Sequence, residues 1–321
     1  MRAAAKLIGV GLTALAISGC AAPVTPVPFP KERPAGLVPP PPPPPPARAA
    51  RSRESFDVEK YYARLQEDLL VRGLLRRDGG GPDVPYTARN LVENFTRIAF
   101  FDEYSSLGDT MVARERAVRL RKWDQPVRMQ VEFGASVDAR TRAHDLPRIN
   151  DYAKRLSRVS RLPITMTNVD PNYHVMVLNE DDRRRIGPRL RELVPGISKA
   201  SVRAVETMPR STLCLVLAFA ETDTSKGYAK AVAIIRGEHP DLLRWSCVHE
   251  EVAQGLGLAN DSPAARPSIF NDDEEFALLT THDEMLLRML YDRRLRNGMS
   301  AQEARPILEQ IAQELTGGAI N

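Results

Sequence analysis

Apolar residues recur along the chain with two periods, and the period changes from one segment to the next. Between 54 and 77, Tyr61, Leu65 and Leu69 follow one another at the spacing of a helix. Between 127 and 133, apolar and polar residues alternate, which is typical of a strand with one buried face. On these criteria we predict helices at 54–77, 87–99, 142–159, 181–193, 242–258, 283–291 and 301–315. We predict strands at 116–123, 127–133, 162–167, 173–178, 213–218 and 229–235.

The order of these elements predicts an α+β fold. From residue 115 onward, pairs of strands alternate with helices, which favours a twisted mixed sheet with helices packed on it. We therefore expect a main domain at 115–321, preceded by a helical segment at 54–114 that packs on it. The chain has 321 residues, of which 43% are hydrophobic, enough for one sizeable core. This composition excludes a wholly disordered chain and a polytopic membrane protein.

The first twenty residues have the three-part organisation of an export signal. A positively charged start precedes an apolar stretch at 7–17, which is too short to span a bilayer. Small residues then lead to Cys20, and this end resembles the lipobox of bacterial lipoproteins. The resemblance implies a signal peptide at 1–19, a lipidated Cys20 and attachment to a membrane; the alternative is an ordinary secretory signal cut after Ala21 or Ala22. Because Ala21 follows the cysteine, the sequence also resembles the outer-membrane sorting pattern of Gram-negative lipoproteins facing the periplasm.

Residues 20–53 form a proline-rich tether. They include eight consecutive prolines at 39–46, a run that prefers the extended polyproline II conformation. At about 3.1 Å per residue this run is a stiff spacer of roughly 25 Å, which would hold the domain away from a membrane. The net charge of +4 includes two positive residues of the leader, and the remaining basic residues are dispersed. The chain has neither a nucleotide-binding motif nor basic residues interleaved with aromatic ones, so we expect no nucleotide and no nucleic acid as partner.

The three cysteines fit an extracytoplasmic protein. If Cys20 carries lipid, Cys214 and Cys247 are left as an even pair in an oxidising compartment. We therefore predict a disulfide bond between them; the alternative is two buried free thiols. In the chain-entropy model, closing a loop of this length contributes on the order of 3–4 kcal/mol to stability.

The predicted helix at 242–258 ends in the segment that carries most of the chemistry. This segment begins with His249-Glu250, the first two residues of the zinc motif H-E-x-x-H. The motif is incomplete, because position 253, where the second histidine would stand, is alanine. Written from Glu250, the sequence E-E-V-A-Q-G-L-G-L-A-N-D resembles the signature of the metzincin zinc peptidases, with its L-G-L turn. The resemblance places Glu250, Gln254 and Asn260 at the three metal-ligand positions and Glu251 at the general-base position. His249 and Asp261 are alternative ligands.

Helical geometry explains the spacing of this signature. Residues four apart lie on one face of a helix and can bind one ion together. A glycine three residues later, Gly257, permits the left-handed turn that ends the helix, and the chain then returns to offer a third ligand. A glutamate next to the first ligand would polarise a metal-bound water.

The flanking sequence extends the resemblance over about 122–292. Lys122-Trp123 with Pro126 resembles the entry to the first metzincin strand, and Ile269-Phe270 stands where metzincins have the Met-turn below the metal. Leu290-Tyr291 matches the pair that ends the following helix. The resemblance implies a zincin-like fold for the main domain. The segment 249–262 is also similar to an uncharacterised lipoprotein family of alphaproteobacteria, a domain of unknown function.

The residues at the ligand positions depart from those that zinc prefers. Zinc is bound by imidazole and thiolate, whereas neutral amides are poor ligands. Three functions therefore compete: a non-catalytic binding or scaffold module for an envelope peptide or protein, an active metallopeptidase with Glu251 as base, and a purely structural lipoprotein. A catalytic centre would hold zinc or a harder ion such as calcium in an unusual site. The acidic run at 271–275 is interpreted as a solvated loop, with a weak cation site as the alternative.

Overall fold

The computed structural model describes residues 50–107, 110–222, 226–271 and 273–317. The leader, Cys20 and the proline-rich run lie outside the described residues. Residues 47–321 form one compact unit. Among the described residues, none of the helices is long and apolar enough to cross a bilayer.

The described elements alternate in the order expected of a mixed fold. The helices are α1 (Arg53–Val71), α2 (Ala88–Ala99), α3 (Ala139–Ser160), α4 (Glu180–Arg183), α5 (Gly187–Leu193), α6 (Lys199–Glu206), α7 (Asp241–Gln254), α8 (Thr281–Leu290) and α9 (Ala301–Leu315). The strands are β1 (Phe101–Leu107), β2 (Thr110–Ala117), β3 (Val127–Phe133), β4 (Ile164–Met166), β5 (Tyr173–Leu178), β6 (Cys214–Ala220) and β7 (Tyr228–Arg236).

Five strands form one sheet in the order β4-β3-β5-β7-β6. Its first four strands are parallel, whereas β6 pairs with β7 antiparallel and lies at the edge. Strands β1 and β2 form a separate antiparallel pair. The mixed sheet with packed helices confirms the predicted α+β class.

Helices cover both faces of the central strands, and this explains why β5 is buried along its whole length. Successive side chains of a strand point to opposite faces. Val175 accordingly packs in the larger apolar cluster with residues of α2, α3, α7, α8 and α9, while Met176 packs in the smaller cluster with α5 and α6. Helix α1 packs separately, through Val58 and Tyr62, against Leu243 at the start of α7.

The largest difference from the predicted elements lies before the main sheet. Of the predicted strand at 116–123, only residues 116 and 117 lie in a strand, at the end of β2. The segment 54–114, expected to be helical, also holds β1 and most of β2. Residues 118–126 instead run as an irregular segment whose Leu120 and Trp123 are buried in the core. Burial of single side chains from an irregular segment produces the same alternation as a strand, so periodicity alone misassigned it.

Smaller differences have local causes. The predicted helix at 181–193 is two helices, α4 and α5, because Gly187-Pro188 opens a new helix with proline in its first turn. The first helix ends at Val71 rather than at residue 77, and Gly73 follows in a left-handed conformation. Helix α6 was not predicted.

Candidate functional site

A disulfide bond joins the edge strand of the sheet to helix α7. Cys214 is the first residue of β6, Cys247 lies in the middle of α7, and their Cα atoms are 5.8 Å apart. This confirms the predicted pairing. The bond fixes β6 beside the part of α7 that carries the metzincin-like sequence.

A cavity of about 400 Å³ lies between β6 and α7. One wall consists of eight consecutive residues, 211–218, and the opposite wall carries Glu250, Glu251 and Gln254. Side chains of a strand alternate between its two faces, so a wall of consecutive residues means that the cavity runs along the edge of β6. Asp261, Asn271 and Glu274 are also among the lining residues.

The structure brings four of the predicted metal-ligand and general-base residues together in this cavity. Glu251 and Gln254 are buried, whereas Glu250 and Asp261 are half-buried. The Gln254 side-chain amide Nε2 donates a hydrogen bond of 2.9 Å to Oδ1 of Asp261. Oε2 of Glu250 lies 3.9 Å from Sγ of Cys214. Asp261, the alternative to Asn260 as third metal ligand, is therefore the residue that bonds to Gln254.

Asn260 is directed elsewhere. Its side-chain Nδ2 donates to the backbone oxygen of Arg97 and to Oε1 of Glu115, both at 3.1 Å. These contacts tie the end of the signature segment to α2 and β2. Asn260 is not among the residues that line the cavity.

His249 faces the core rather than the cavity. Its Nδ1 accepts a hydrogen bond of 2.9 Å from the backbone N–H of Leu279, and its ring stacks on Tyr152 with the centroids 3.9 Å apart. Burial, with nearby Arg155 and Arg148, holds the pKa of His249 well below its usual value. A neutral, stacked and hydrogen-bonded ring fits a structural role.

Two tyrosines fix the helix that presents the carboxylates. The hydroxyl of Tyr173 donates hydrogen bonds to the backbone oxygens of Glu251 and Val252. The hydroxyl of Tyr152 donates a hydrogen bond to the backbone oxygen of His249. Burial raises the pKa of Tyr173 well above its usual value, and the charge of Glu251 acts in the same direction. Both phenols are therefore neutral donors at the end of α7.

The turn after α7 follows the geometry that the spacing predicts. Gly257 has φ of +127°, and a Cβ atom there would lie 2.6 Å from the backbone oxygen of Arg121. The indole of Trp123 donates to the oxygen of Gly255, and the hydroxyl of Tyr291 donates to that of Leu256. The segments around 122 and 291, which resemble metzincin sequence, therefore both hold this turn.

The segment in the position of the Met-turn lies directly beside the cavity. Ile269 lines the cavity, whereas Phe270 is completely buried behind it. The buried carboxylate of Asp283 accepts hydrogen bonds from the Ser268 hydroxyl and the Ile269 N–H. Because Asp283 also caps α8 through Thr280, the turn and the following helix form one unit.

The donor set does not fit the zinc ion that the metzincin resemblance implies. Among the described residues that line the cavity, none offers an imidazole, and the sulfur of Cys214 is committed to the disulfide. The oxygen donors present are carboxylates and amides, which suit harder cations better than zinc. No chemical step through zinc is derived for this site.

The described lining of the cavity is rich in carboxylates. It holds five carboxylates, those of Asp102, Glu250, Glu251, Asp261 and Glu274, and the guanidinium of Arg121, which pairs with Asp102. A concave site with one sign of charge concentrates ions of the opposite sign. The arrangement therefore favours a cationic ligand.

Several lining residues were not predicted. Asp102, Arg121 and Tyr228 come from β1, the irregular segment and the start of β7, and nothing local in the sequence distinguishes them. The acidic run at 271–275 was noticed in the sequence as an alternative cation site, and two of its residues, Asn271 and Glu274, line the cavity. The apolar run of β6 indicated a strand, but it could not show that the strand lies at an edge.

The residues that line the cavity between β6 and α7 fall within the range matched by a known protein family. Residues 88–310 match the family described as a protein of unknown function, DUF2927. The match covers more than half of the chain, so the chain belongs to this family. No curated protein and no solved structure matches it significantly.

Proposed function

We propose that this protein is a non-catalytic binding module of the cell envelope, whose cavity takes an extended, basic segment of a peptide or protein. The observation that carries the proposal is the course of the cavity along the edge of β6, opposite the carboxylates of α7. An extended peptide can add to a sheet edge through backbone hydrogen bonds. Lysine or arginine side chains of that peptide would meet the acidic wall.

The domain is proposed to be a degenerate zincin-like domain. In support, α7, the Gly257 turn, the turn at 268–270 and α8 follow one another as the metzincin signature implies. The antiparallel edge strand next to the signature helix agrees with a peptide-binding cleft. The ligand positions favour binding over catalysis, because Asn260 bonds to Arg97 and Glu115.

We further propose that lipidated Cys20 holds the domain at the periplasmic face of the outer membrane. The disulfide supports a location outside the cytoplasm, since such bonds persist in oxidising compartments. The proline-rich tether would then place the cavity roughly 25 Å or more from the bilayer.

The test uses two hexapeptides with capped ends, one alternating alanine and lysine and the other alternating alanine and glutamate. Calorimetry with the disulfide-bonded protein should detect binding of the lysine peptide and none of the glutamate peptide. The variant Glu250→Gln/Asp261→Asn should bind the lysine peptide roughly tenfold more weakly, a loss of about 1.4 kcal/mol. The matched control Glu67→Gln/Glu93→Gln, which removes two exposed carboxylates outside the cavity, should bind like the wild type.

Two further measurements are needed. The first distinguishes binding to the edge strand from attraction by charge alone, and the second tests for catalysis. A lysine peptide with N-methylated backbone amides should bind more weakly, because it has fewer N–H donors for β6. Equal binding of both hexapeptides, or equal losses in variant and control, would refute the proposal. Mass spectrometry of the incubated peptide reports on the alternative: cleavage products that disappear in Glu251→Gln would identify a peptidase with Glu251 as base.

A further inference from the structure

A second cavity lies at the C-terminal ends of three helices. It has a volume of about 850 Å³ and is formed where α3, α8 and α9 end next to the segment 123–126. Four arginines are among its lining residues: Arg158, Arg161, Arg288 and Arg293. We refer to this cavity, defined by these four residues, as the arginine groove.

The acidic side chains of the arginine groove bond to residues other than its four arginines. Asp292 and Glu314 both bind Arg294, at 2.9 and 2.7 Å, and Arg294 is not a lining residue. Asp124 accepts a hydrogen bond of 3.5 Å from the side-chain amide of Asn297. The acids of the groove are thus engaged outside the set of four arginines.

Three of the four guanidiniums have no counterion in the part of the chain that the structure describes. Arg158, Arg161 and Arg293 are exposed, and they form neither a hydrogen bond nor an ion pair with a described residue. Arg288 lies 3.7 Å from Glu284, which also binds Arg155. The groove therefore presents four guanidiniums, none of which is paired with one of the three carboxylates of its described lining.

Helix dipoles account for only part of this charge. Arg158 and Arg288 lie in the last turns of α3 and α8, where a cation is favourable. A helix C-terminus is equivalent to about half an elementary negative charge, so three helix ends offset fewer than two of the four guanidiniums. Arg161 and Arg293 lie after the ends of α3 and α8, and their positive charges come in addition to those of Arg158 and Arg288.

The guanidinium group determines which anion fits. Its planar fork binds phosphate oxygens in pairs, and it stays charged at every physiological pH. The groove also has apolar walls, including the half-buried Val159 and Leu315. Several arginines beside an apolar wall suit a ligand with a phosphate group and an apolar portion.

We propose that the arginine groove is a binding site for a phosphate-bearing ligand, separate from the acidic cavity. The phosphate is held by Arg158, Arg161, Arg288 and Arg293, and the apolar portion lies against Val159 and Leu315. A phospholipid headgroup and a soluble phosphate compound share this chemistry, and the experiment distinguishes the two sources.

The experiment is calorimetry at constant ionic strength with inorganic phosphate and with dihexanoyl phosphatidylglycerol below its micelle concentration. Both probes should bind the wild type saturably at one site. The variants Arg158→Gln/Arg293→Gln and Arg161→Gln/Arg288→Gln should each lose at least tenfold in affinity for the probe that binds. Arg64→Gln/Arg191→Gln, which removes two exposed arginines of α1 and α5, should stay within twofold of the wild type.

The two probes identify the source of the phosphate. Similar affinities indicate a soluble phosphate compound, and a lipid affinity at least tenfold higher indicates a headgroup with its acyl chains on the apolar wall. The variants should lower the unfolding midpoint only slightly, since three of the replaced guanidiniums form neither a hydrogen bond nor an ion pair with a described residue and the helix-end interactions of Arg158 and Arg288 are each weak. The proposal is overturned if neither probe binds the wild type saturably, or if the control variant loses as much affinity as the groove variants.

Discussion

Gly257 determines where the chain leaves α7. Its φ of +127° is open to glycine but strained for residues with a Cβ atom, and the backbone oxygen of Arg121 occupies the space where a Cβ would lie. Asp261 reaches Gln254 only because the chain reverses at this point. The geometry of the acidic cavity therefore depends on this residue.

We predict that Gly257→Ala lowers the free energy of unfolding by about 3 kcal/mol, because backbone strain adds to a steric clash. The matched control is Gly196→Ala, since Gly196 also has a positive φ, +87°, but no atom lies within 4 Å of its added Cβ. That variant should lose only about 1 kcal/mol. Urea unfolding measures both, and equal losses would show that the contact with Arg121 plays no part.

For single residues, the spacing in the sequence predicts which side chains share a helix face. It does not predict the direction of a side chain that lies beyond the end of the helix. Glu250 and Gln254 line the cavity together, as the i, i+4 spacing predicts. Asn260 turns toward Arg97 and Glu115 because β2 lies beside it, and the strand β2 was not predicted. A side chain beyond the end of a helix is oriented by distant segments, which one-dimensional spacing does not contain.

At the scale of elements, the disulfide holds the two walls of the acidic cavity together. β6 pairs with β7 on one side only, so its position next to α7 depends on Cys214–Cys247 as well as on that ladder. Cys247 and Cys214 are both buried. The bond therefore combines a stabilising role with one in shaping the site.

Breaking this bond should affect both stability and binding. We predict that Cys214→Ser/Cys247→Ser lowers the free energy of unfolding by about 3–4 kcal/mol, because the unfolded chain loses a loop constraint. The variant should also bind the lysine peptide more weakly, since β6 is no longer fixed to α7. Reductant should have the same effect on the wild type and none on the double variant. Two titratable thiols in unreduced, denatured wild type would contradict the prediction.

The elements that were predicted well are those with strong local signals. Strands β3 and β5 and helix α9 have their predicted bounds. Apolar residues recur at a regular period in β3 and α9, whereas β5 is a short, continuously buried apolar run. The β1–β2 pair was missed because Phe101–Leu107 and Thr110–Ala117 carry many polar residues without regular alternation. Strand order in the sheet is set by pairing between distant segments, and this explains why the edge position of β6 appeared only in the structure.

At the scale of the whole molecule, the described residues line two cavities, one rich in carboxylates and the other rich in arginines. The acidic cavity lies between β6 and α7, whereas the arginine groove lies at the ends of α3, α8 and α9. On the two proposals above, a basic peptide and a phosphate ligand would bind to different cavities and would not compete. Such a module could bring a peptide and a phosphorylated surface together, and a fixed attachment to a membrane would make this arrangement effective.

The attachment itself is predicted to depend on Cys20. Acyl chains on this cysteine would hold the protein at a membrane, because each buried methylene contributes about 0.8 kcal/mol. When the protein is produced in a Gram-negative host, Cys20→Ser should move it from the outer-membrane fraction to the soluble periplasm, and the lipid mass should be lost. Cys214→Ser/Cys247→Ser is the matched control, because it removes two cysteines but should keep the membrane location. Sedimentation of the Cys20→Ser protein with the membranes, at wild-type levels, would mean that the anchor is not on this residue and that another contact, such as the arginine groove, holds the protein there.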